Sequence, residues 1–339
     1  MAQKSASKKK THLPRAQAIK STRASRGKLL GASSAVLALI LAAALFFFYK
    51  KEKTPATLTL PPFSSENAFA LLERQCEFGP RVPNTAAHDS CRVFLVKELR
   101  KYADAVVEQT FTHTTPRLTG ELKLSNIVAS FKPQDGQRVL LGAHWDTRPW
   151  ADAEADSSKH HLPVLGANDG ASGVAILLEI ARVLKSNPPP VGVDIILFDG
   201  EDLGEPGDSR SYAIGAQHYA RHKAPNYSPM FGILLDMVGD RDLAIYQEGN
   251  SLRYAGGTVD RVWSLAARLG IKEFIASPRH EIFDDHIPFL EAGIPMIDLI
   301  DFDYPHWHTT QDTPDKCSPA SLEKVGKVVL AALYDRGGL

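Results

Sequence analysis

Five short polar clusters, each set just beyond an apolar run, hold the residues of this chain best equipped for chemistry. They read Ala143-His144-Trp145-Asp146, Gly166-Ala167-Asn168-Asp169, Asp199-Gly200-Glu201-Asp202, Leu235-Asp236-Met237 and Trp307-His308-Thr309. Imidazoles and carboxylates with no cysteine among them form a donor set suited to zinc in an open, catalytic site rather than a closed structural one. Gathered at one place without a cation, these acids would repel one another and cost heavily in desolvation.

Each cluster also has a bland reading. Asp169 precedes Gly170, Ala171 and Ser172, and an aspartate at a helix start is a common N-cap. The long polar loop from Ala151 to Leu165 ahead of it suits a segment lining a site, which favours ligation. Adjacent residues at a strand end point to opposite sides. That division gives Asp202 to the metal and Glu201 to the substrate as general base, with a pKa open to tuning by a metal and a desolvated pocket. The competing reading of Asp199 to Asp202 is a solvated acidic turn. His308 is preferred to His306 because Trp307 beside it would wall a pocket. His144 and Asp146, two apart, share a face of a strand end, so Asp146 can hold the imidazole of His144. Asp236 closes its own strand in the same way. His160, His161, His218, His222 and His280 have no comparable setting and read as surface residues.

The elements that must position these clusters alternate along the chain. Helical periodicity starts near Asn67 and again from Ala87 to Tyr102, with turn material between them at residues 78–84. Strands are predicted over Val106 to Phe111, Leu122 to Phe131 and Val139 to Ala143, followed by a helix from Gly170 to Ser186. Strand Val193 to Phe198, helix Tyr212 to His222 and strand Phe231 to Met237 come next. A helix near Val259 to Leu269, strand Met296 to Ile300 and a closing helix from Ser318 to Leu333 complete the series. Such alternation predicts an α/β fold, a mostly parallel sheet covered on both faces, in one domain over residues 65–339. In an open sheet of that kind ligands bind beyond the carboxyl ends of the strands, where the clusters lie.

The 339 residues carry a formal net charge of zero, unevenly spread. Residues 1–28 hold nine basic residues and no acid. The remainder is therefore acidic, which argues against nucleic acid as a partner. Leu29 to Tyr49 is uncharged and almost wholly apolar, about the length that spans a bilayer. The basic excess ahead of it predicts a cytoplasmic tail and a single-pass signal anchor, with residues 50–64 as a linker and the catalytic domain outside the cytoplasm, whether periplasmic, extracellular or lumenal. A cleaved signal peptide is the alternative, disfavoured because Phe46-Phe47-Phe48-Tyr49 runs straight into lysines. Cys76 and Cys91 either bridge in an oxidising compartment or stand as separate buried thiols. Cys317 has no evident partner, and none of the three has zinc-finger spacing.

Taken together, residues from about 66 to 335 resemble the zinc-dependent aminopeptidase superfamily, and within it the glutaminyl-peptide cyclotransferases. The resemblance rests on His144-x-Asp146, Gly166-Ala-Asn-Asp169, Phe198-Asp-Gly-Glu201, Asp208-Ser-x-x-Tyr212, Leu235-Asp236, Asp284-Asp-His-Ile-Pro-Phe289 and Trp307-His308-Thr309. It implies a three-layer α/β/α sandwich with a mixed, twisted central sheet. It implies one zinc held by Asp169, Asp202 and His308, with Glu201 as general base and acid, Asp236 and Asp284 as its hydrogen-bonded partners, and Trp307 as the pocket wall. The implied reaction cyclises the N-terminal glutamine of peptides or proteins to pyroglutamate with loss of ammonia. In the dinuclear aminopeptidases, His144 and Asp236 would instead hold a second metal bridged by Asp169. Asp284 before Asp285-His286 and Trp307 before the ligand histidine favour the cyclotransferase. Asp202 departs from both families, which commonly have glutamate there, and the shorter arm moves the carboxylate by about one methylene. A binding module without catalysis is the remaining alternative, disfavoured because uncompensated acids would be a liability.

Overall fold

The computed structural model describes residues 58–335. The expected membrane span and its basic tail lie outside them, and among the described residues no helix is long and apolar enough to cross a membrane. The chain enters with Phe63 buried, and Leu58 and Leu60 pack on the same core. The domain therefore begins within the stretch expected to be linker.

Two helices come first, α1 (Ser65–Glu77) and α2 (Ala86–Arg100), capped by Ser64 and Thr85 side chains that accept from Asn67 and His88 N–H groups. The strands β1 (Ala105–His113), β2 (Leu122–Phe131), β3 (Arg138–His144), β4 (Gly192–Phe198), β5 (Phe231–Asp236) and β8 (Met296–Ile300) form one six-stranded sheet in the order β1-β2-β4-β3-β5-β8. β1, β2 and β4 pair antiparallel, whereas β4, β3, β5 and β8 run parallel. The sheet is thus mixed and mostly parallel. β6 (Ile245–Gln247) and β7 (Phe274–Pro278) make a separate two-stranded sheet.

Alternation along the buried strands divides their side chains between two cores, as the period of two requires. Leu141, Ile195, Ile233 and Ile297 join the larger core, formed with α1, α2, α3 (Ala171–Ser186), α5 (Gly249–Arg268) and α7 (Pro319–Tyr334). Leu140, Ile196, Leu234 and Met296 face the smaller one, closed by Ala216 of α4 (Ile214–His222) and Phe289 of α6 (Ile287–Glu291). Helices thus cover both faces of the sheet. Because β4, β3, β5 and β8 are parallel, their carboxyl ends open at one edge. There His144 lies beside Phe198 and Asp236 beside Ile300.

Two expectations need correction, and one open choice closes. Helix α5 starts at Gly249, about a turn and a half before the point where its backbone leaves helical geometry at Ala255; the periodicity near Val259 marks only its second part. Glu201 and Asp202 do not close a strand: they sit on a 3₁₀ turn, Glu201–Leu203, after Gly200 in a left-handed conformation with φ 75°. Their division of direction comes from that turn, not from the strand pleat. Cys76, Cys91 and Cys317 are all free and buried, and burial raises each thiol well above its ordinary range. The first two resolve the open choice toward separate thiols.

Candidate metal centre

Asp169, Asp202 and His308 arrive from three different loops. Asp169 ends the loop ahead of α3, Asp202 follows β4, and His308 follows β8. Asp169 is not the N-cap of α3. That place falls to Gly170, whose φ of 97° and closeness to the Asp146 carbonyl (2.9 Å from an added Cβ) suit only glycine. The imidazole Nε2 of His308 lies 3.1 Å from Asp202 Oδ1 and 3.6 Å from Asp169 Oδ2. One ligand atom from each of the three residues falls within 4.8 Å of the other two. All three residues are buried, at 4%, 1% and 4% exposure for Asp169, Asp202 and His308. His308 itself has φ 53°, a sparsely populated backbone state of the kind held in place at functional sites.

A second group shares Asp169. His144 Nε2 stands 3.0 Å from Asp169 Oδ1 and 3.2 Å from Asp236 Oδ1, and these three also satisfy the spacing of metal ligands. Asp146 is near His144 Nδ1, at 3.6 Å, too far for a formed hydrogen bond. Its oxygens accept instead from the backbone N–H groups of Glu201 and Asp202. Asp146 therefore holds the turn that carries both residues, a more direct task than the one expected of it.

The electrostatics fit a cation. Burial and the charges of Asp202 and Asp236 push the Asp169 carboxyl up to about 7. Burial also opposes ionisation of Asp202, yet His308 and Arg148 hold it down at about 2. His308 is pushed up to about 9, its burial outweighed by Asp202 and its acidic neighbours. Asp169 Oδ2 is buried without a hydrogen-bond partner. An orphaned carboxylate oxygen of this kind, in an imidazole–carboxylate set without thiolate, suits a divalent ion such as zinc.

Beside these groups a pocket of about 340 Å³ is lined by Asp169, Glu201, Asp236, Asp284, Trp307 and His308, with Tyr212, Phe283 and Phe302 among its walls. Trp307 stacks on His308 with ring centroids 3.8 Å apart. Burial, then the Asp284 charge, raise the Glu201 carboxyl well above its ordinary value. Asp284 is raised to about 7 by burial and Asp236. Asp284 does not cap α6, whose N-cap is His286 with no side-chain bond. Its Oδ2 is buried and unpartnered. The pocket thus sets two buried acids, both raised above their ordinary values, beside a cluster of metal-type donors.

Several residues of the site escape sequence reasoning because their roles come only from tertiary proximity. Arg81, fully buried, donates to the carbonyls of Trp145, Leu165 and Gly166. Asp312 accepts from the N–H groups of Asn168 and Asp169 and from the Tyr304 hydroxyl. Together they brace the Asp169 loop from its two ends. His88 on α2 bonds Asp199 and stacks on Trp145. Of the histidines read as surface residues, His161, His222 and His280 are exposed, while His160 and His218 are partly covered.

Fold and donor set define an α/β domain with a candidate metal centre at the carboxyl edge of its sheet. Residues 126–333 match peptidase family M28, and the chain belongs to that family. The chain is 27% identical to Drosophila melanogaster glutaminyl-peptide cyclotransferase over 74% of this chain and 75% of that protein. It superposes on the crystal structure of Bacteroides thetaiotaomicron glutaminyl cyclase bound to N-acetylhistamine with a TM-score of 0.79 and 39% identity, covering 82% of this chain and all of the other. A Zn-dependent exopeptidase from Parabacteroides distasonis matches with a TM-score of 0.79 and 40% identity over the same share of this chain.

Proposed function

We propose that this chain is a glutaminyl-peptide cyclotransferase, closing N-terminal glutamine to pyroglutamate with release of ammonia. The observation that carries this reading within the site is the buried pair Glu201 and Asp284 on the wall of one pocket, beside the donor set Asp169, Asp202 and His308. The likeness to glutaminyl cyclases over most of the chain supports it. Zinc held by Asp169, Asp202 and His308 would polarise the γ-carbonyl of the glutamine as a Lewis acid.

The chain's own residues do the rest. Trp307 and Phe302 confine the substrate in a largely apolar pocket and limit its water. Glu201 accepts a proton from the α-amine as that nitrogen bonds to the γ-carbon, then donates it to the amide nitrogen as the C–N bond breaks. One C–N bond forms, one breaks, ammonia leaves, and Glu201 ends in the protonation state it began with. Asp284 and Asp236 make no hydrogen bond to Glu201, contrary to the expectation for them; the Asp284 charge acts on Glu201 across the pocket, is itself raised by Asp236, and couples to the proton that Glu201 moves.

An aminopeptidase of the same family is favoured by one observation: His144, Asp169 and Asp236 also have ligand spacing, so a second metal has a ready set of donors. Our reading gives His144 and Asp236 supporting roles and the site one zinc. Incubation with a glutaminyl peptide tests the choice. Ammonia and a pyroglutamyl product are expected, and leucine release from leucyl peptides with no cyclisation would favour the aminopeptidase.

The sequence further supports a membrane-anchored enzyme, with Leu29 to Tyr49 as the span, the basic tail in the cytoplasm and the catalytic domain on the opposite side. Its substrates are then peptides and proteins outside the cytoplasm.

A further inference from the structure

We propose that Arg148 and the segment Asp152 to Glu154 form a brace that fixes Asp202 and His308 relative to each other and thereby sets the metal affinity of the centre; this rests on the reading of those two residues as ligands. The loop from Ala151 to Leu165 drew attention as a segment lining the site, and the proposed reaction leaves it without a task.

Its first residues meet the His308 loop at three points, hydrogen-bonded at two of them and in charged contact at the third. Asp152 Oδ1 lies 3.6 Å from His308 Nδ1, the ring nitrogen turned away from Asp202 and Asp169. The Ala153 N–H donates to the His308 carbonyl at 3.2 Å. Glu154 Oε1 accepts from the Thr310 N–H at 3.0 Å and from the Thr310 hydroxyl. These contacts surround the residue whose backbone sits at φ 53°, a state that persists only where neighbours over-determine it.

The other arm reaches Asp202. Arg148 is fully buried and binds Asp152 in a two-pronged ion pair, Nε to Oδ1 at 2.7 Å and Nη2 to Oδ2 at 2.6 Å. Its Nη1 donates to Asp202 Oδ1 and to the backbone carbonyls of Asp202 and Gly204, each at 3.2 Å. Such a planar fork fixes direction as well as charge. Asp202 Oδ1 is also the atom that lies 3.1 Å from His308 Nε2. A circuit of hydrogen bonds and close charged contacts therefore runs Asp202, Arg148, Asp152, His308 and back to Asp202. It anchors the short aspartate arm from both its carboxylate and its backbone carbonyl. Partners behind metal ligands typically change affinity by 10–100-fold when removed.

Zinc affinity of the full-length chain, measured by competition with a chromogenic chelator, tests the brace. Asp152→Ala should weaken zinc binding by about 10–100-fold, and Asp152→Asn, which keeps an acceptor but loses the charge, should fall between it and the unmodified chain. Arg148→Gln should weaken binding as well. Thermal unfolding of the chelator-stripped forms identifies the temperature at which each variant is folded, and affinity is read there. His308→Ala is the companion measurement. Loss of zinc in His308→Ala with affinity unchanged in folded Asp152→Ala would overturn the brace and leave the ligand reading standing. Stoichiometric, tightly held zinc in His308→Ala would overturn the ligand reading and the brace with it.

Discussion

In the proposed mechanism turnover depends on Glu201, because it alone is assigned to move the proton between the two nitrogens. Glu201→Gln keeps the shape and removes that exchange, so turnover should fall by about 10²–10⁴-fold while zinc stays bound. Zinc analysis of the variant checks the assignment, and lost metal would mean that Glu201 and Asp202 have exchanged roles. Asp284 separates the cyclotransferase from the aminopeptidase more sharply. Asp284→Asn keeps the side-chain volume but removes a carboxyl raised to about 7 by burial and Asp236. Stability should hold while cyclisation falls by at least about tenfold, roughly 1.4 kcal/mol of barrier; steady-state rates beside thermal unfolding decide it. At this scale the sequence was legible where residue type alone limits the chemistry. Asp169, Asp202, Glu201, Asp236 and His308 stand out as acids and an imidazole just after buried strands or at a helix start. Arg148, Asp152, Arg81 and Asp312 do not, since an arginine or aspartate in a polar loop carries no local sign of the ligand it will hold. The spacing of Arg148 and Asp152, close behind His144, was the one available hint.

Among the elements, the buried strands were readable because continuous apolar runs bounded by polar clusters leave little choice of conformation. β2 and β8 have the predicted bounds, Leu122–Phe131 and Met296–Ile300. Short elements were not: β6 has three residues and α6 five, too few for a period to emerge. The start of α5 was hidden by Gly249, Gly256 and Gly257, which lower helix propensity across its first turns. What holds that start is Glu248, whose carboxylate accepts from the Asn250 and Ser251 N–H groups and from Ile282 N–H. Burial opposes its ionisation, but His286 and those backbone donors prevail and depress it from an ordinary 4.5 to about 2. A depressed acid stabilises the fold above its unfolded pKa, and that contribution is lost as pH falls toward the folded value. Glu248→Gln should therefore cost about 1–3 kcal/mol near neutrality. The difference from the unmodified chain should shrink as pH drops from 4.5 toward 2, which denaturant unfolding across that range would reveal.

For the whole molecule, the fold class follows from alternation of strand and helix, and the site's location follows from the parallel run β4-β3-β5-β8 opening its carboxyl ends at one edge. The antiparallel entry of β1 and β2 was not legible, because a strand's apolar pattern reads the same whichever way its neighbours run. Nor does the sequence separate one metal from two, since His144, Asp169 and Asp236 are the same residue types in both enzymes. Deleting residues 1–53 should yield a soluble, active enzyme, because Leu58, Leu60 and Phe63, which pack on the core, are retained. Ultracentrifugation with and without the segment checks the anchor, and a full-length chain that stays in the supernatant would contradict it.

Zinc stoichiometry of the purified chain, determined on the same sample as ammonia release from a glutaminyl peptide, tests the central claim most directly. The account predicts one zinc per chain and ammonia released in step with pyroglutamyl product. Two zinc ions per chain, with leucine released from a leucyl peptide and no ammonia from the glutaminyl one, would contradict it.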